Sequence, residues 1–340
     1  MPRSQGLIDL QVNGFAGVDF NDPAIGPDDL DRALEAMLAT GVTFCLPTII
    51  TAHPHELAAR FAALDAAVAG SRLGPLMCPG YHLEGPFLNP APGYHGCHPP
   101  QAMTAASADL VLALEKPLSR PILMMTLAPE VEGALAATQA LAQAGKTVAI
   151  GHSAADFAQV AAAARAGLSL STHLGNGLPQ TLPKLANPVF AQLATDGLMA
   201  GFIADGIHLP PEALKVLIAA RGRENAILVT DAVLAAAAPV GAYSFAGMAI
   251  ELRPDGSVRQ SEGLLAGSAL CLDAAVRNLV GWGIATPEQA LAMASDHPLA
   301  AIRRSLDAHG ITLAPSTVDW SDDLAVRRIR LGAQDRSYTT

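Results

Sequence analysis

Several apolar runs in this chain end on residues able to do acid–base or metal chemistry. They are His82-Leu-Glu84-Gly-Pro, Gly151-His152-Ser, Thr172-His173-Leu-Gly-Asn176, Ala204-Asp205-Gly-Ile-His208 and Thr230-Asp231-Ala. One carboxylate with two of these histidines makes a tripod for a divalent metal. Two His and one Glu around Zn²⁺, with water in the fourth position, is a known catalytic set. Asp231 is then an unliganded carboxylate beside that water. His82 lies two residues before Glu84, so strand alternation aims both the same way. A hydrogen-bonding role behind the ligands suits His82 better than ligation. Any single histidine is most often a surface group or a satisfied partner. Recurrence at the ends of buried runs carries the site reading, and His53, His55, His297 and His309 lack that context.

Eight short apolar runs must position these residues: Gly6–Val12, Val42–Leu46, Leu76–Leu83, Ile122–Leu127, Thr147–Ile150, Leu168–Thr172, Met199–Ile203 and Ala226–Thr230. They are mostly continuous rather than alternating, as expected of parallel strands buried on both faces. Amphipathic segments lie between them: Asp28–Thr40, His55–Ala69, Glu130–Ala144, Ser153–Ala166 and Pro211–Ala220. Ser153 reads as the cap of its helix, and Thr286-Pro-Glu-Gln289 as a capping-box start. Eight β-then-α units predict an α/β fold of the (β/α)₈ TIM-barrel type, whose chemistry collects at the C-terminal ends of the strands. An open doubly wound sheet would normally show a Gly-rich phosphate turn, and no GxGxxG follows the first run. The tail reads as two short strands around a polar turn at Trp320–Val326. The expected division is a barrel over 1–311 and a reduced β appendage over 312–340.

Composition narrows the function class. The 340 residues carry 21 Lys plus Arg and 31 Asp plus Glu, so the net charge is 21 − 31 = −10. With no basic run, this argues against a nucleic-acid or anionic-membrane partner. Hydrophobic residues make up 51%, ample for a large core and against disorder. Mean hydropathy is +0.31, yet the longest uncharged runs, Ala36–His55 and Ala232–Ile250, are interrupted by Pro and Gly and do not read as membrane spans. No signal peptide is visible at the N-terminus, and Cys45, Cys78, Cys97 and Cys271 form no CxxC. Reduced thiols in a cytoplasmic protein are therefore expected.

The ordered motifs Asp9-Leu-Gln11-Val-Asn13-Gly, His82-Leu-Glu84-Gly-Pro-Phe, Thr126-Leu-Ala-Pro-Glu130, Gly151-His152-Ser, Thr172-His173-Leu-x-Asn176, Ala204-Asp205-Gly-x-His208, Val229-Thr-Asp231-Ala and Leu265-Ala-Gly-Ser268 carry a family resemblance. Over about Gly6 to Ile302 the chain resembles the N-acetylglucosamine-6-phosphate deacetylases of the amidohydrolase superfamily. The resemblance implies Glu84, His152 and His173 as metal ligands and Asp231 as catalytic acid/base. It implies His98, in Gly96-Cys-His98-Pro-Pro, as the histidine that polarises the carbonyl, with His95 a nearby competitor. It implies substrate contacts from His208, Asn176, Gly177, Leu265, Ala266, Gly267 and Ser268. Gln11 and Asn13 stand where two-metal relatives carry HxH. Amides ligate Zn²⁺ poorly, so one ion is implied, Zn²⁺ first and Fe²⁺, Co²⁺ or Mn²⁺ as alternatives.

Family members precede the barrel with several dozen residues of a small β-sandwich, whereas this chain begins five residues before Gly6. The family's Arg-x-Pro-Gly segment is replaced by Leu182-Pro-Lys184-Leu-Ala-Asn187-Pro188, and Lys184 is the only Lys or Arg from Ala166 to Leu214. A phosphate normally finds Arg, Lys or a helix N-terminus. Weak phosphate dependence, or a basic residue from another subunit, is therefore expected, and a homodimer is open to the chain. The expected activity is deacetylation of an N-acetyl amino sugar, with another N-acyl or cyclic amide as the alternative. From a different class stands a non-catalytic ligand-binding barrel, which has no need of a water-activating carboxylate.

Overall fold

The computed structural model describes residues 3–261 and 263–338, so the extreme ends of both expected units lie outside the described residues. All eight apolar runs enter one sheet of parallel strands. They are β1 (Leu7–Val12), β2 (Val42–Ile50), β3 (Tyr81–Glu84), β4 (Ile122–Leu127), β5 (Thr147–Ile150), β6 (Leu168–Ser171), β7 (Met199–Phe202) and β8 (Ala226–Leu228). Each pairs with its neighbour in chain order, from β1 against β2 to β7 against β8. The circle closes beyond β8. Asn13 N donates to Ala232 O at 2.7 Å and Asp231 N to Gln11 O at 2.9 Å. The fold is a (β/α)₈ barrel, as the run pattern predicted.

The strands are apolar because helices cover them outside and side chains fill them inside. The third run was too long. Gly74–Met77 is a helical turn, Pro79 and Gly80 break the chain, and only Tyr81–Glu84 is strand. Helices end where punctuation residues stand: Gly167, with φ 115°, closes Phe157–Ala166. The cap of that helix is Asp156, not Ser153. Asp156 accepts from Gln159 N while the Gln159 side chain accepts from Asp156 N. The Ser153 hydroxyl is drawn away to Glu130.

Two smaller sheets sit on the barrel. Ser316–Trp320, Val326–Leu331 and Gln334–Ser337 form an antiparallel sheet joined by Arg3–Ser4. Trp320, fully buried, packs this sheet onto the barrel and donates its indole N–H to Ser4 Oγ. A second, unforeseen sheet of Gly241–Phe245, Met248–Leu252 and Val258–Gln260 follows β8. Its apolar face packs with Ile50, Val233 and Ala266 beside the C-terminal rim. No helix among the described residues is long and apolar enough to cross a membrane.

Asp9 ties the first strand to the last. Its carboxylate accepts from Thr230 Oγ1 at 2.5 Å, from Thr230 N at 3.3 Å and from Gln11 N at 3.3 Å. Burial pushes its pKa up to about 7 against these bonds. A raised carboxyl pKa stabilises the fold below the unfolded value near 4, and that contribution is lost as pH rises through 7. Asp9→Asn should therefore gain stability relative to the parent between pH 5 and pH 8, by on the order of 2–4 kcal/mol. Urea denaturation at both pH values checks this; equal pH dependence in the two proteins contradicts it.

Candidate active site

Four residues of the tripod region meet at the barrel rim. Glu84 ends β3, His152 and His173 each lie two residues past β5 and β6, and His98 arrives on the long loop after β3. All four are buried. His173 Nε2 lies 3.0 Å from Glu84 Oε1, His152 Nε2 3.5 Å from the same oxygen, and His98 Nε2 3.7 Å from Oε2. Ligand-capable atoms of Glu84, His98 and His152 all lie within 4.8 Å of one another.

Each ring is held from behind. His152 Nδ1 donates to Tyr94 O at 2.7 Å, which fixes the ring with Nε2 toward Glu84. His98 Nδ1 lies 2.9 Å from Thr51 Oγ1. His173 Nδ1 is buried without a hydrogen-bond partner. His82 has both ring nitrogens engaged, with Thr48 Oγ1 at 3.3 Å and Thr126 Oγ1 at 2.8 Å. It stands behind the cluster and offers it no nitrogen.

Asp231 joins the cluster through amides. Gln11 Nε2 donates to Glu84 Oε1 at 3.0 Å and to Asp231 Oδ1 at 3.1 Å, while Asn13 Nδ2 donates to Asp231 Oδ1 at 2.8 Å. Gln11 thus bridges the two carboxylates, and Asn13 holds Asp231 alone. The Asn13 Oδ1 atom is buried without a partner.

The electrostatics favour a cation. Burial alone would raise the Glu84 carboxyl. Hydrogen bonds from His152 and His173, and the charge on His173, outweigh burial and hold it well below the carboxylate range. Burial, then the neighbouring His152, lowers His98 to about 3, so its ring is neutral near pH 7. His173 goes the other way: burial opposes its cation, but the bond to Glu84 wins and raises it. A proton is thus held where a metal ion could replace it. Burial, then the charge of Glu84, raises Asp231 to about 6, an acid–base range close to neutrality. A carboxylate with converging imidazoles is a donor set that fits a divalent ion, and imidazole favours the transition metals.

The expected substrate-side residues are less uniformly gathered. His208 is fixed by Asp205, whose Oδ2 lies 2.6 Å from His208 Nδ1. The same carboxylate caps the His208 and Ile207 N–H groups. Asn176 turns back on the chain, its Nδ2 donating to His173 O at 3.1 Å. Gly177 lies against His152: a Cβ there would meet His152 Nδ1 at 2.7 Å. Ser268 N donates to Asp231 O, but its hydroxyl is spent on Thr230 O at 2.6 Å. Gly267 is packed under Val233, and Ala266 N donates to Val258 O. Leu265 bridges to Arg259. These four hold the segment beside Asp231 through backbone and packing. Lys184 is exposed, without an ion-pair partner among the described residues. His95 presents a buried, unpartnered Nδ1 one turn before His98.

Sequence reading missed Asp9, Thr51, Asp205, Glu130 and the Tyr94 carbonyl as supports. Asp205 and Glu130 stand inside quoted motifs, so their spacing was the available signal. A backbone carbonyl carries none.

Comparison with known proteins follows from this geometry. The chain is 37% identical over 342 residues to the N-acetylgalactosamine-6-phosphate deacetylase of Escherichia coli O157:H7, covering 97% of this chain and 86% of that protein. It is 32% identical over 304 residues to the N-acetylglucosamine-6-phosphate deacetylase of Danio rerio, covering 86% and 73%. A crystal structure of N-acetylglucosamine-6-phosphate deacetylase from Pasteurella multocida superposes with a TM-score of 0.86 at 26% identity, covering 99% of this chain and 86% of that one. No family model matches the chain.

Gly177 and Gly197 both have positive φ, 63° and 81°, but a Cβ on Gly197 meets nothing within 4 Å. Backbone strain alone costs roughly 1–2 kcal/mol for an L-residue there. Gly177→Ala should cost at least about 1 kcal/mol more than Gly197→Ala, because its methyl must displace the ring held by Tyr94 O. Urea denaturation of both variants decides it, and equal losses contradict the close approach.

Proposed function

The chain belongs to the N-acetylglucosamine- and N-acetylgalactosamine-6-phosphate deacetylases, and on that premise we propose that it hydrolyses the acetamide of an amino-sugar 6-phosphate at the Glu84 cluster. The observation that carries this reading is a buried carboxylate facing three imidazole Nε2 atoms, with a second carboxylate bridged to it by Gln11. Glu84, His152 and His173, all at strand ends, would hold one Zn²⁺; Fe²⁺, Co²⁺ and Mn²⁺ suit the same donors. Bound there, the ion supplies Lewis acidity that activates water and polarises a carbonyl.

The chain's own groups do the rest. Asp231 takes the proton of the attacking water and hands it to the departing amine nitrogen. Its raised pKa suits both halves of that task. Gln11 and Asn13 both donate to its Oδ1, and Oδ2 is the oxygen left to carry the proton. His98 donates Nε2–H to the developing oxyanion once the Thr51 hydroxyl, which faces Glu84 O at 3.2 Å, turns to donate to His98 Nδ1. His208, oriented by Asp205, and Asn176 and Gly177 line the sugar side. Lys184, on the loop that follows Gly177, is the basic residue nearest in sequence for a 6-phosphate. The sheet over 316–337 supports a division into a barrel over 1–311 and an appendage over 312–340, with the appendage continuing the barrel's core.

A second ligand set, Glu84 with His98 and His152, is favoured by their mutual approach within 4.8 Å. Metal analysis of single variants separates the two. His173→Ala should lose the ion and His98→Ala should keep it; the reverse installs His98 as a ligand.

Acetate release from the two N-acetylhexosamine 6-phosphates and their unphosphorylated forms tests the activity. Asp231→Asn should keep its metal and lose at least roughly 10²-fold in kcat. Near-normal kcat in that variant would falsify the role of Asp231. Lys184→Ala should lose about tenfold in kcat/KM on the phosphorylated sugars alone, the equivalent of one charge-assisted hydrogen bond. An equal loss on both sugar forms removes Lys184 from the phosphate.

A further inference from the structure

We propose that Glu130 is a positioning residue that clamps the loops around His152 and thereby sets the affinity for the cation; this rests on reading the Glu84 cluster as a metal centre. Glu130 stands three residues beyond β4. Its Oε1 accepts from Asn89 Nδ2 at 2.9 Å and from Ala154 N at 2.5 Å, and its Oε2 accepts from Ser153 Oγ at 2.6 Å. The carboxylate therefore joins the chain just after His152 to the start of the loop after β3.

That loop is the one that holds His152. Asn89 N donates to His152 O at 3.1 Å, and the Tyr94 carbonyl accepts from His152 Nδ1 at 2.7 Å. The same loop then delivers His98. His152 itself sits at φ 51°, a left-handed conformation that an L-residue keeps only when its surroundings enforce it. The enforcement converges on Glu130: it fixes residues 153 and 154 on one side and Asn89 on the other. None of its hydrogen bonds goes to Glu84, His98 or His173, so it acts through His152. Outer groups that orient a ligand typically contribute roughly 10–100-fold in metal affinity or activity.

The side chain's chemistry predicts which replacements work. Three donors converge on the two oxygens, so an alanine abandons all of them. A glutamine keeps Oε1 for Asn89 and Ala154, and turns its amide toward the Ser153 hydroxyl, which rotates to accept.

The experiment is Zn²⁺ affinity by competition with a chelating dye, together with kcat and KM at saturating Zn²⁺, for the parent, Glu130→Ala, Glu130→Gln and Ser153→Ala. Glu130→Ala should bind Zn²⁺ about 10–100-fold more weakly and lose kcat with little change in KM. Glu130→Gln should stay within about threefold of the parent, and Ser153→Ala should weaken Zn²⁺ by about tenfold, the equivalent of one lost bond to a charged group. Parent-like Zn²⁺ affinity in Glu130→Ala overturns the proposal, as does a Glu130→Gln that loses as much as Glu130→Ala. If Glu130→Ala does not fold, unchanged affinity in Ser153→Ala overturns it. A parent that binds no Zn²⁺ overturns the metal reading as well, whereas a Zn²⁺-binding parent matched by its variants overturns only the clamp.

Discussion

A carboxylate enclosed at the rim of a barrel must be met by donors or positive charge, because burying it alone is prohibitively costly. Glu84 is 2% exposed. From Leu73 to Glu115 the chain offers no Lys or Arg, so its own loop brings no cation to it. What surrounds it instead are Gln11 and the imidazoles of His98, His152 and His173. Burial drives His98 toward its neutral form, so imidazolium charge is only a partial answer. A bound divalent ion answers the same need completely, and the arrangement of strand ends around Glu84 follows from it.

The cost appears in the backbone. His152, His173 and Asp231 have φ of 51°, 28° and 49°, three of the seven non-glycine residues with positive φ among the described residues. Such conformations cost roughly 1–3 kcal/mol each and persist where surroundings over-determine them. Here the surroundings are visible. Asn89 N and Tyr94 O hold His152, Asn176 turns back to the His173 carbonyl, and Asp231 N and O are bonded to Gln11 O and Ser268 N. The turns aim side chains inward at strand ends, where a regular helix start would point them away. Ser153 is part of this cost: it abandons the helix cap for Glu130, and Asp156 caps instead.

The barrel was legible because its strands are buried on both faces, so each is a continuous apolar run without need of alternation. The same property misled at Leu76–Leu83, where apolar continuity alone does not separate a helical turn from a strand. The sheet over 241–260 was invisible because its strands are short and half-exposed. Glu84, His152, His173 and Asp231 stood out as ionisable residues ending apolar runs, and the structure brings all four together. The groups that orient them did not stand out. Thr51 and Tyr94 act across 47 and 58 residues of sequence, one by a hydroxyl and one by a backbone carbonyl, and local pattern carries neither. The choice of His98 or His173 as third ligand was likewise not a question of spacing, since both rings face the same carboxylate.

Anomalous diffraction at the metal edge from the loaded enzyme tests the central claim most directly. The account predicts one ion per chain, bonded to Glu84 and to Nε2 of His152 and His173, with Asp231 close by but unbonded. An ion outside this cluster, a second ion against Gln11 and Asn13, or a single ion held by His98 with His173 turned away would contradict it.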